Sequence, residues 1–205
     1  MRWLCLAVVV GLVVAPGGRA AAAEFDHYLL ALSWTPAWCH FEGAARGDAR
    51  CDPGADTGWM VHGLWPQHAR GWPEYCATTA RDPSRGQTAA MVDIMGSAGL
   101  AWHQWRKHGR CSGLTAQAYF AQTRAALVRV TLPEVGAGAA TAQDIADAVR
   151  AANPGIGADG LVVTCRQGRL AEVRICLTPT LDPRPCGADV RARACSGPLE
   201  VTPRP

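Results

Sequence analysis

Histidine, tryptophan and a single lysine are concentrated in two short segments of the chain. The first segment contains His62, and the second contains His103 and His108. The second segment also holds Lys107, the one lysine of a chain that has 19 arginines. Imidazole exchanges protons near neutral pH, and an ammonium group is a compact positive charge. These residue types could therefore perform acid–base chemistry on an anionic substrate.

Two imidazoles and one fixed cation are the functional groups with which RNA can be cleaved without a metal ion. One imidazole would remove the proton of the ribose 2′-hydroxyl, and the other would protonate the departing 5′-oxygen. Each positioned acid or base contributes on the order of 10²–10⁴-fold to the rate. The cation would stabilise the extra charge on the phosphorane. Trp65 offers a flat ring for an unpaired base, and stacking accepts any base, so we predict single-stranded RNA as partner with low base selectivity.

The spacing of the second segment predicts a helix that gathers its polar groups. In a helix over residues 101–108, His103 lies one turn before Lys107, and Gln104 lies one turn before His108. The two pairs occupy adjacent rows of the helix surface. We therefore expect one compact polar patch, which the first segment must face.

The surrounding sequence predicts strands near both ends and helices between them. Such an order is typical of an α+β fold, here with an antiparallel β-sheet core and several helices. The region 40–57 has no periodicity and is predicted to be a loop. The predicted strands are 25–34, 59–64 (stopped by Pro66), 161–165 and 170–178, and the predicted helices are 87–95, 101–108 (ended by Gly109), 115–130 and 142–152 (with Thr141 as N-cap).

Residues 1–23 have the pattern of a secretory signal peptide. Arg2 is followed by an apolar run at 4–14, by helix breakers, and by small residues at 20–23. The run is short for a membrane span, so we expect no membrane anchor after cleavage. Residues 24–205 are then a single domain, predicted to be a monomer in the periplasm or secreted.

Charge and cysteine content agree with an exported globular enzyme. Without Arg2 and Arg19, the chain keeps 18 of its 20 basic residues against 17 acidic ones. This near neutrality excludes a large electrostatic surface for duplex DNA or anionic membranes. Eight cysteines follow the signal segment, and an even number in an exported chain predicts disulfides whose pairing stays open. No C-x2-C pair occurs, which argues against a structural zinc site.

Taken together, the two segments resemble the ribonuclease T2 family of exported, transferase-type ribonucleases. The resemblance extends from about residue 25 to residue 195. Two long motifs in the right order make it specific. The residues that carry it are His62-Gly63-Leu64-Trp65-Pro66, His103-x-Trp105-x-Lys107-His108-Gly109-x-Cys111, the opening strand from Leu30 to Cys39, and the late strand Glu172-Val173-Arg174-Ile175-Cys176.

The resemblance implies roles for the matching residues. The reaction would yield a 2′,3′-cyclic phosphate and then a 3′-phosphate, without a metal or other cofactor. The implied roles are His62 as general acid, His108 as general base, Lys107 on the phosphorane, His103 on the phosphate, and Trp65 with Gln67 at the base. The implied disulfides are Cys39–Cys51, Cys76–Cys111, Cys165–Cys195 and Cys176–Cys186.

Gln104 departs from the family, which usually has Glu at this place in the catalytic set. An amide keeps hydrogen bonding but loses the negative charge. The result is either an active enzyme with a shifted pH optimum or a weakened one, and a non-catalytic exported RNA-binding protein is the alternative. A metal hydrolase is a further class, but His103 and His108 lack the H-E-x-x-H spacing.

Overall fold

A six-stranded sheet forms the centre of the chain in the computed structural model, which describes residues 25–205. The predicted signal peptide lies outside the described residues. The strand order is β2-β1-β5-β6-β3, and β4 also pairs with β5. The strands are β1 (His27–Trp34), β2 (Trp59–Gln67), β3 (Gly138–Thr141), β4 (Leu161–Arg166), β5 (Arg169–Leu177) and β6 (Pro198–Val201).

The described helices fall mostly between β2 and β4, as an α+β fold requires. The predicted helix over residues 87–95 is instead two short helices, with buried Met91 in the turn between them. The predicted loop at 40–57 contains three short helical turns. The helices are α1 (Thr35–Trp38), α2 (Arg85–Ala89), α3 (Val92–Met95), α4 (Ala98–Lys107), α5 (Ala116–Val128), α6 (Ala142–Ala152) and α7 (Ala188–Arg191).

The α+β fold class is confirmed, but the sheet is mixed. β1, β2, β4 and β5 pair antiparallel, and so do β3 and β6. β6 pairs with β5 in parallel, at Arg169 and Glu200. The chain leaves β5, passes through α7 and returns to the same sheet, and this crossover makes the two strands run in one direction.

Capping side chains decide where the three longer helices begin. Ser97, Thr115 and Thr141 each accept a backbone N–H from the residue three positions further on. The N-cap expected at Thr141 is therefore present. α4 begins before the predicted residue 101 because Ser97 caps it. α4 ends at Lys107, and Gly109 opens a short 3₁₀ turn, Gly109–Ser112.

β2 is the outer strand of the sheet, and this explains why it does not stop at the predicted residue 64. Pro66 lies opposite Tyr28 of β1, inside the strand. Proline has no N–H to donate, so a strand tolerates it at the edge of a sheet. The strand therefore continues through Pro66 to Gln67.

The main core lies between the sheet and the helices. Leu30 and Leu32 of β1 pack there with Trp105 of α4 and Tyr119 of α5, and all four are fully buried. The opposite face of β1 contributes Leu29 to a smaller cluster that Trp65 covers in part. The strand β1 is thus buried on both faces, and it holds β2 along one edge and β5 along the other.

Four disulfides join distant parts of this fold. They are the four pairs that the resemblance implies. The bonds are Cys39–Cys51, Cys76–Cys111, Cys165–Cys195 and Cys176–Cys186.

Among residues 25–205, none of the helices is long and apolar enough to cross a membrane.

Candidate active site

One cavity of about 170 Å³ brings together side chains from β2, α4, β5 and α7. Trp72, Arg174, Asp189 and Arg193 also face it, although sequence reasoning gave none of them a role. The seven residues predicted for the site all line this cavity, and they are His62, Trp65, Gln67, His103, Gln104, Lys107 and His108.

A bulge in β2 points His62 and Trp65 to the same side. Ala31 of β1 pairs with Gly63, but the next residue of β1 pairs with Val61, so His62 is the extra residue. Regular alternation would place His62 and Trp65 on opposite faces of the strand. His62 therefore lies within β2, and its side chain still reaches the side that Trp65 occupies.

His62 is held by a carboxylate from β5. Its Nδ1 lies 2.5 Å from Oε1 of Glu172, and the imidazole remains 36% exposed. Ser33 donates to the same oxygen at 3.2 Å, and Arg174 donates to Oε2 at 2.8 Å. Burial would raise the pKa of Glu172, but the His62 hydrogen bond and the charges of His62 and Arg174 lower it to about 2. Glu172 is therefore an ionised carboxylate.

The surroundings of His108 differ from those of His62 in burial and in neighbouring charge. It is the C-cap residue of α4, is 5% exposed, and its Nδ1 is buried without a hydrogen-bond partner among the described residues. Burial, followed by the charges of Lys107, His62 and His103, lowers the pKa of His108 to about 3. The ring is therefore neutral, and Nε2 is the nitrogen left to meet a substrate in the cavity.

Trp65 lies between the two histidines. Its ring stacks on His108 and meets His62 edge to face, with 5.1 Å between ring centroids in both pairs. The guanidinium of Arg174 lies 5.4 Å from the ring centroid. The indole therefore spaces the two imidazoles, a contact that the sequence analysis did not predict for this residue. Base stacking at Trp65 stays a prediction.

Gln104 holds the indole in place. Trp65 Nε1 donates to Oε1 of Gln104 at 2.7 Å, and the glutamine is fully buried. Gly63 permits this contact, because a Cβ at that position would overlap both polar atoms. In this structure the residue at 104 acts as a neutral acceptor for tryptophan.

Lys107 supplies an ammonium group to the cavity, and His103 supplies an imidazole. Lys107 Nζ lies 3.5 Å from Oε2 of Glu74, a partly exposed pair that is worth little energy. His103 is exposed, and partial burial followed by the Lys107 and His62 charges lowers its pKa. Both side chains are close enough to the cavity to attract an anionic group.

The side-chain amide of Gln67 is hydrogen-bonded to the backbone. It is buried, and its Nε2 donates to the carbonyl of Pro66 at 2.9 Å. Its side chain still lines the cavity, so it can shape the wall next to a bound group. A direct role at a base stays a prediction.

Glu172 and Arg174 are the site residues that sequence reasoning missed. They alternate along β5 with Val173 and Ile175, which are fully buried. A two-residue period places both charges on one face of the strand. That alternation of charged and apolar residues was the available signal, but it does not say which distant side chain the carboxylate would meet.

No group of three or more His, Cys, Asp or Glu side chains within residues 25–205 is placed to hold a metal ion. The pocket combines imidazole, guanidinium, ammonium and carboxamide groups with the carboxylate of Asp189, and the Glu172 carboxylate lies behind His62. This combination can exchange protons and hold an anion.

Solved structures share this fold. An S-like ribonuclease, trichomaglin, superposes with a TM-score of 0.69 at 21% identity, covering 89% of this chain and 100% of its own. RNase NT in complex with 5′-AMP superposes with a TM-score of 0.62 at 23% identity, covering 88% of this chain and 99% of its own. These likenesses concern the fold.

Proteins of similar sequence include a ribonuclease and a probable ribonuclease. A ribonuclease of Aeromonas hydrophila is 39% identical over 116 residues, which are 54% of this chain and 51% of that protein. A probable ribonuclease of Haemophilus influenzae is 34% identical over 128 residues, 57% of this chain and 47% of its own. The chain thus spans about half the length of these relatives. The sequence profile of the ribonuclease T2 family matches residues 25–186, and the chain belongs to this family.

Proposed function

We propose that the protein is an endoribonuclease that cleaves single-stranded RNA without a metal ion. The observation that supports this best is the contrast between the two imidazoles. His62 contacts an ionised carboxylate, whereas His108 is buried among positive groups. Two titratable groups whose surroundings favour opposite protonation states are the pattern of an acid–base pair. His62 is then the general acid, and His108 is the general base.

The reaction begins at the 2′-hydroxyl. His108 Nε2 takes the hydroxyl proton, and the 2′-oxygen forms a bond to phosphorus. The phosphorane gains negative charge, which Lys107 and His103 stabilise. The bond from phosphorus to the 5′-oxygen then breaks, and His62 gives its proton to that oxygen. The products are a 2′,3′-cyclic phosphate and a free 5′-hydroxyl, and water later opens the ring to a 3′-phosphate with the proton roles reversed.

Low base selectivity follows from the walls of the cavity. Trp65 and the 41% exposed Trp72 are aromatic surfaces, and aromatic stacking contributes about 1–3 kcal/mol for any base. Gln67 has its amide nitrogen engaged with the backbone. We infer that the enzyme selects an unpaired, flexible strand more than a particular base.

The site of action is outside the cytoplasm. Four disulfides and the pattern of residues 1–23 support export to the periplasm or the medium. Oxidising conditions would preserve the bond between Cys76 and Cys111, which lies beside the catalytic helix.

The proposed reaction is tested by following cyclic phosphate release from homopolymers of RNA in EDTA, with the purified protein. His62→Ala and His108→Ala should each lower the rate by on the order of 10²–10⁴-fold, because each removes a positioned proton carrier. His40→Ala is the matched control, since His40 is exposed and lies outside the cavity.

Other outcomes decide against the proposal. Tight RNA binding without acid-soluble products would identify a non-catalytic RNA-binding protein, for which the neutral Gln104 would be the reason. Loss of cleavage in EDTA would identify a metal hydrolase. A His108→Ala variant that cleaves at the full rate would remove His108 from the reaction.

A further inference from the structure

The contact between His62 and Glu172 joins a cavity residue to a buried charge that the reaction itself does not use. The two residues are 110 positions apart, and His62 Nδ1 lies 2.5 Å from Oε1. The carboxylate side chain is 11% exposed, while the imidazole is 36% exposed. The carboxylate therefore touches the inner nitrogen of the ring and leaves the outer nitrogen to the cavity.

Neighbouring groups fix the carboxylate as well. Arg174 makes two contacts with Oε2, at 2.8 Å from Nε and 2.7 Å from Nη2. Ser33 of β1 donates to Oε1 at 3.2 Å. Both oxygens thus have partners on β1 and β5, and the backbone pairs Ser33 with Glu172 across the sheet. A carboxylate held in this way has little freedom to turn away from the imidazole.

We propose that Glu172 is the positioning residue of His62 and determines which ring nitrogen carries the transferable proton. This inference rests on the proposed ribonuclease function. Glu172 accepts the Nδ1 proton, so that Nε2 carries the proton that goes to the 5′-oxygen. After the transfer, the neutral ring keeps Nδ1–H on Glu172 and has a free Nε2 lone pair. The same ring can then accept a proton from water in the second step.

The sequence departure at Gln104 gives this contact added importance. Gln104 carries no charge and is engaged with Trp65. Asp189 lines the cavity and accepts from the backbone of Gly71, and Glu74 contacts Lys107. Among the carboxylates of the described residues, only Glu172 contacts a proposed catalytic histidine. The carboxylate beside His62 therefore comes from β5 and not from α4.

The test compares two substrates that differ in the leaving group. A dinucleoside phosphate releases an alkoxide and needs a proton from His62. A uridine 3′-(4-nitrophenyl phosphate) releases a phenolate that leaves without one. Glu172→Gln keeps the shape of the side chain but removes its charge. We expect kcat/KM to fall roughly 10- to 100-fold on the dinucleotide and less than about threefold on the aryl ester.

Two variants control for structural effects. Ser33→Ala removes one hydrogen bond to Glu172 but keeps its charge and its Arg174 contacts, so the ratio of the two rates should change far less than in Glu172→Gln. Glu172→Asp keeps the charge and should recover part of the dinucleotide rate. Nitrogen NMR of the neutral His62 ring provides a readout besides activity. Its single proton should sit on Nδ1 in the wild type and be divided between the Nδ1–H and Nε2–H tautomers in Glu172→Gln.

Each result supports or overturns the inference. An equal loss on both substrates would show a structural role, and no loss on either would show no role, so both would overturn it. An unchanged NMR proton position in Glu172→Gln would also overturn it. A wild-type protein that releases no cyclic phosphate from either substrate would instead refute the proposed function, and the NMR comparison would still judge the Glu172 contact.

Discussion

The two imidazoles of the site have different electrostatic surroundings, although they lie on either side of one indole. His108 is buried at the end of α4, beside Lys107 and without a carboxylate contact among the described residues. His62 meets Glu172 directly. Moving a charge from water into a protein interior is costly unless a partner compensates it. The Glu172 contact therefore compensates a charge on His62, whereas burial disfavours a charge on His108.

Burial of a neutral His108 predicts a pH-dependent stability. The folded pKa is about 3, below the unfolded value of about 6.5, so the unfolded chain binds more protons between these values. The free energy of unfolding should fall as the pH decreases through this window. Between pH 6.5 and pH 5 the loss from this residue is roughly 2 kcal/mol.

Urea unfolding of the disulfide-intact protein at these two pH values measures the effect. His108→Gln cannot titrate, so the wild type should lose about 2 kcal/mol more than the variant between the two pH values. Equal losses in the two proteins would show that the ring is protonated in the folded state. The comparison cancels the contribution of His27, whose pKa is also lowered by burial.

At the scale of elements, the site depends on the close approach of β2 and α4. Gly63 of β2 leaves room for the hydrogen bond between Trp65 and Gln104. Gly109, just past α4, likewise leaves room for the rings of Trp105 and Tyr119. Interiors are packed at crystal-like density, so an added methyl group must displace a neighbour. Gly63 therefore sets how closely β2 and α4 approach each other.

Gly63→Ala should damage activity more than its cost in stability suggests. The added Cβ forces Trp65 away from Gln104, and overpacking of this kind costs about 1–3 kcal/mol. Because Trp65 spaces the two imidazoles, we expect at least a roughly tenfold loss of RNA cleavage. Cleavage assays and urea unfolding on the same preparation measure both effects.

Gly99→Ala is the matched control. Gly99 lies in α4, and a Cβ there would meet nothing within 4 Å. Gly99 is in the first turn of α4 and has no positive φ, so alanine fits its backbone and stabilises by roughly 0.4–1 kcal/mol through the unfolded chain. This variant should therefore be at least as stable and equally active. If Gly63→Ala were as active as Gly99→Ala, the close approach would have no role in the site.

For the whole molecule, disulfides connect the active-site elements to the rest of the chain. Cys76–Cys111 spans 35 residues and joins the turn after α4 to the segment that follows β2. The backbone of Tyr75 also donates to the carbonyl of Lys107 at 2.8 Å. Cys39–Cys51 spans 12 residues and closes the helical turns after β1. The first bond therefore constrains the site, and the second constrains only the short segment between Cys39 and Cys51.

Removing each bond with paired alanines should separate stability from function. Loop-closure entropy predicts a loss of about 4 kcal/mol without Cys76–Cys111 and about 3 kcal/mol without Cys39–Cys51. Under folding conditions, only loss of the first bond should reduce cleavage, because only this bond holds the segment beside Lys107. Thermal unfolding and the cyclic phosphate assay provide the two measurements. Equal activity losses would mean that the bonds act through global stability alone.

Helical spacing and residue type made much of the site predictable. The rows of α4 carry Gln104 and Lys107 at positions that a repeat of 3.6 residues determines, and Thr141 marks a helix start by its own chemistry. These are local properties, since they depend on backbone angles and neighbouring residues. The α+β class follows from the same local patterns read along the whole chain.

Only the tertiary structure decided how the two motifs meet. The bulge at His62 exists because β1 pairs with β2 out of simple register, and the Glu172 carboxylate comes from a strand 110 residues further on. The low pKa of His108 results from packing against other elements. Pairing, burial and charge proximity depend on contacts between distant segments, and no periodicity within either segment specifies them. Residue types and local spacing therefore follow from the chain itself, while contacts between distant segments place a carboxylate beside His62 and bury His108.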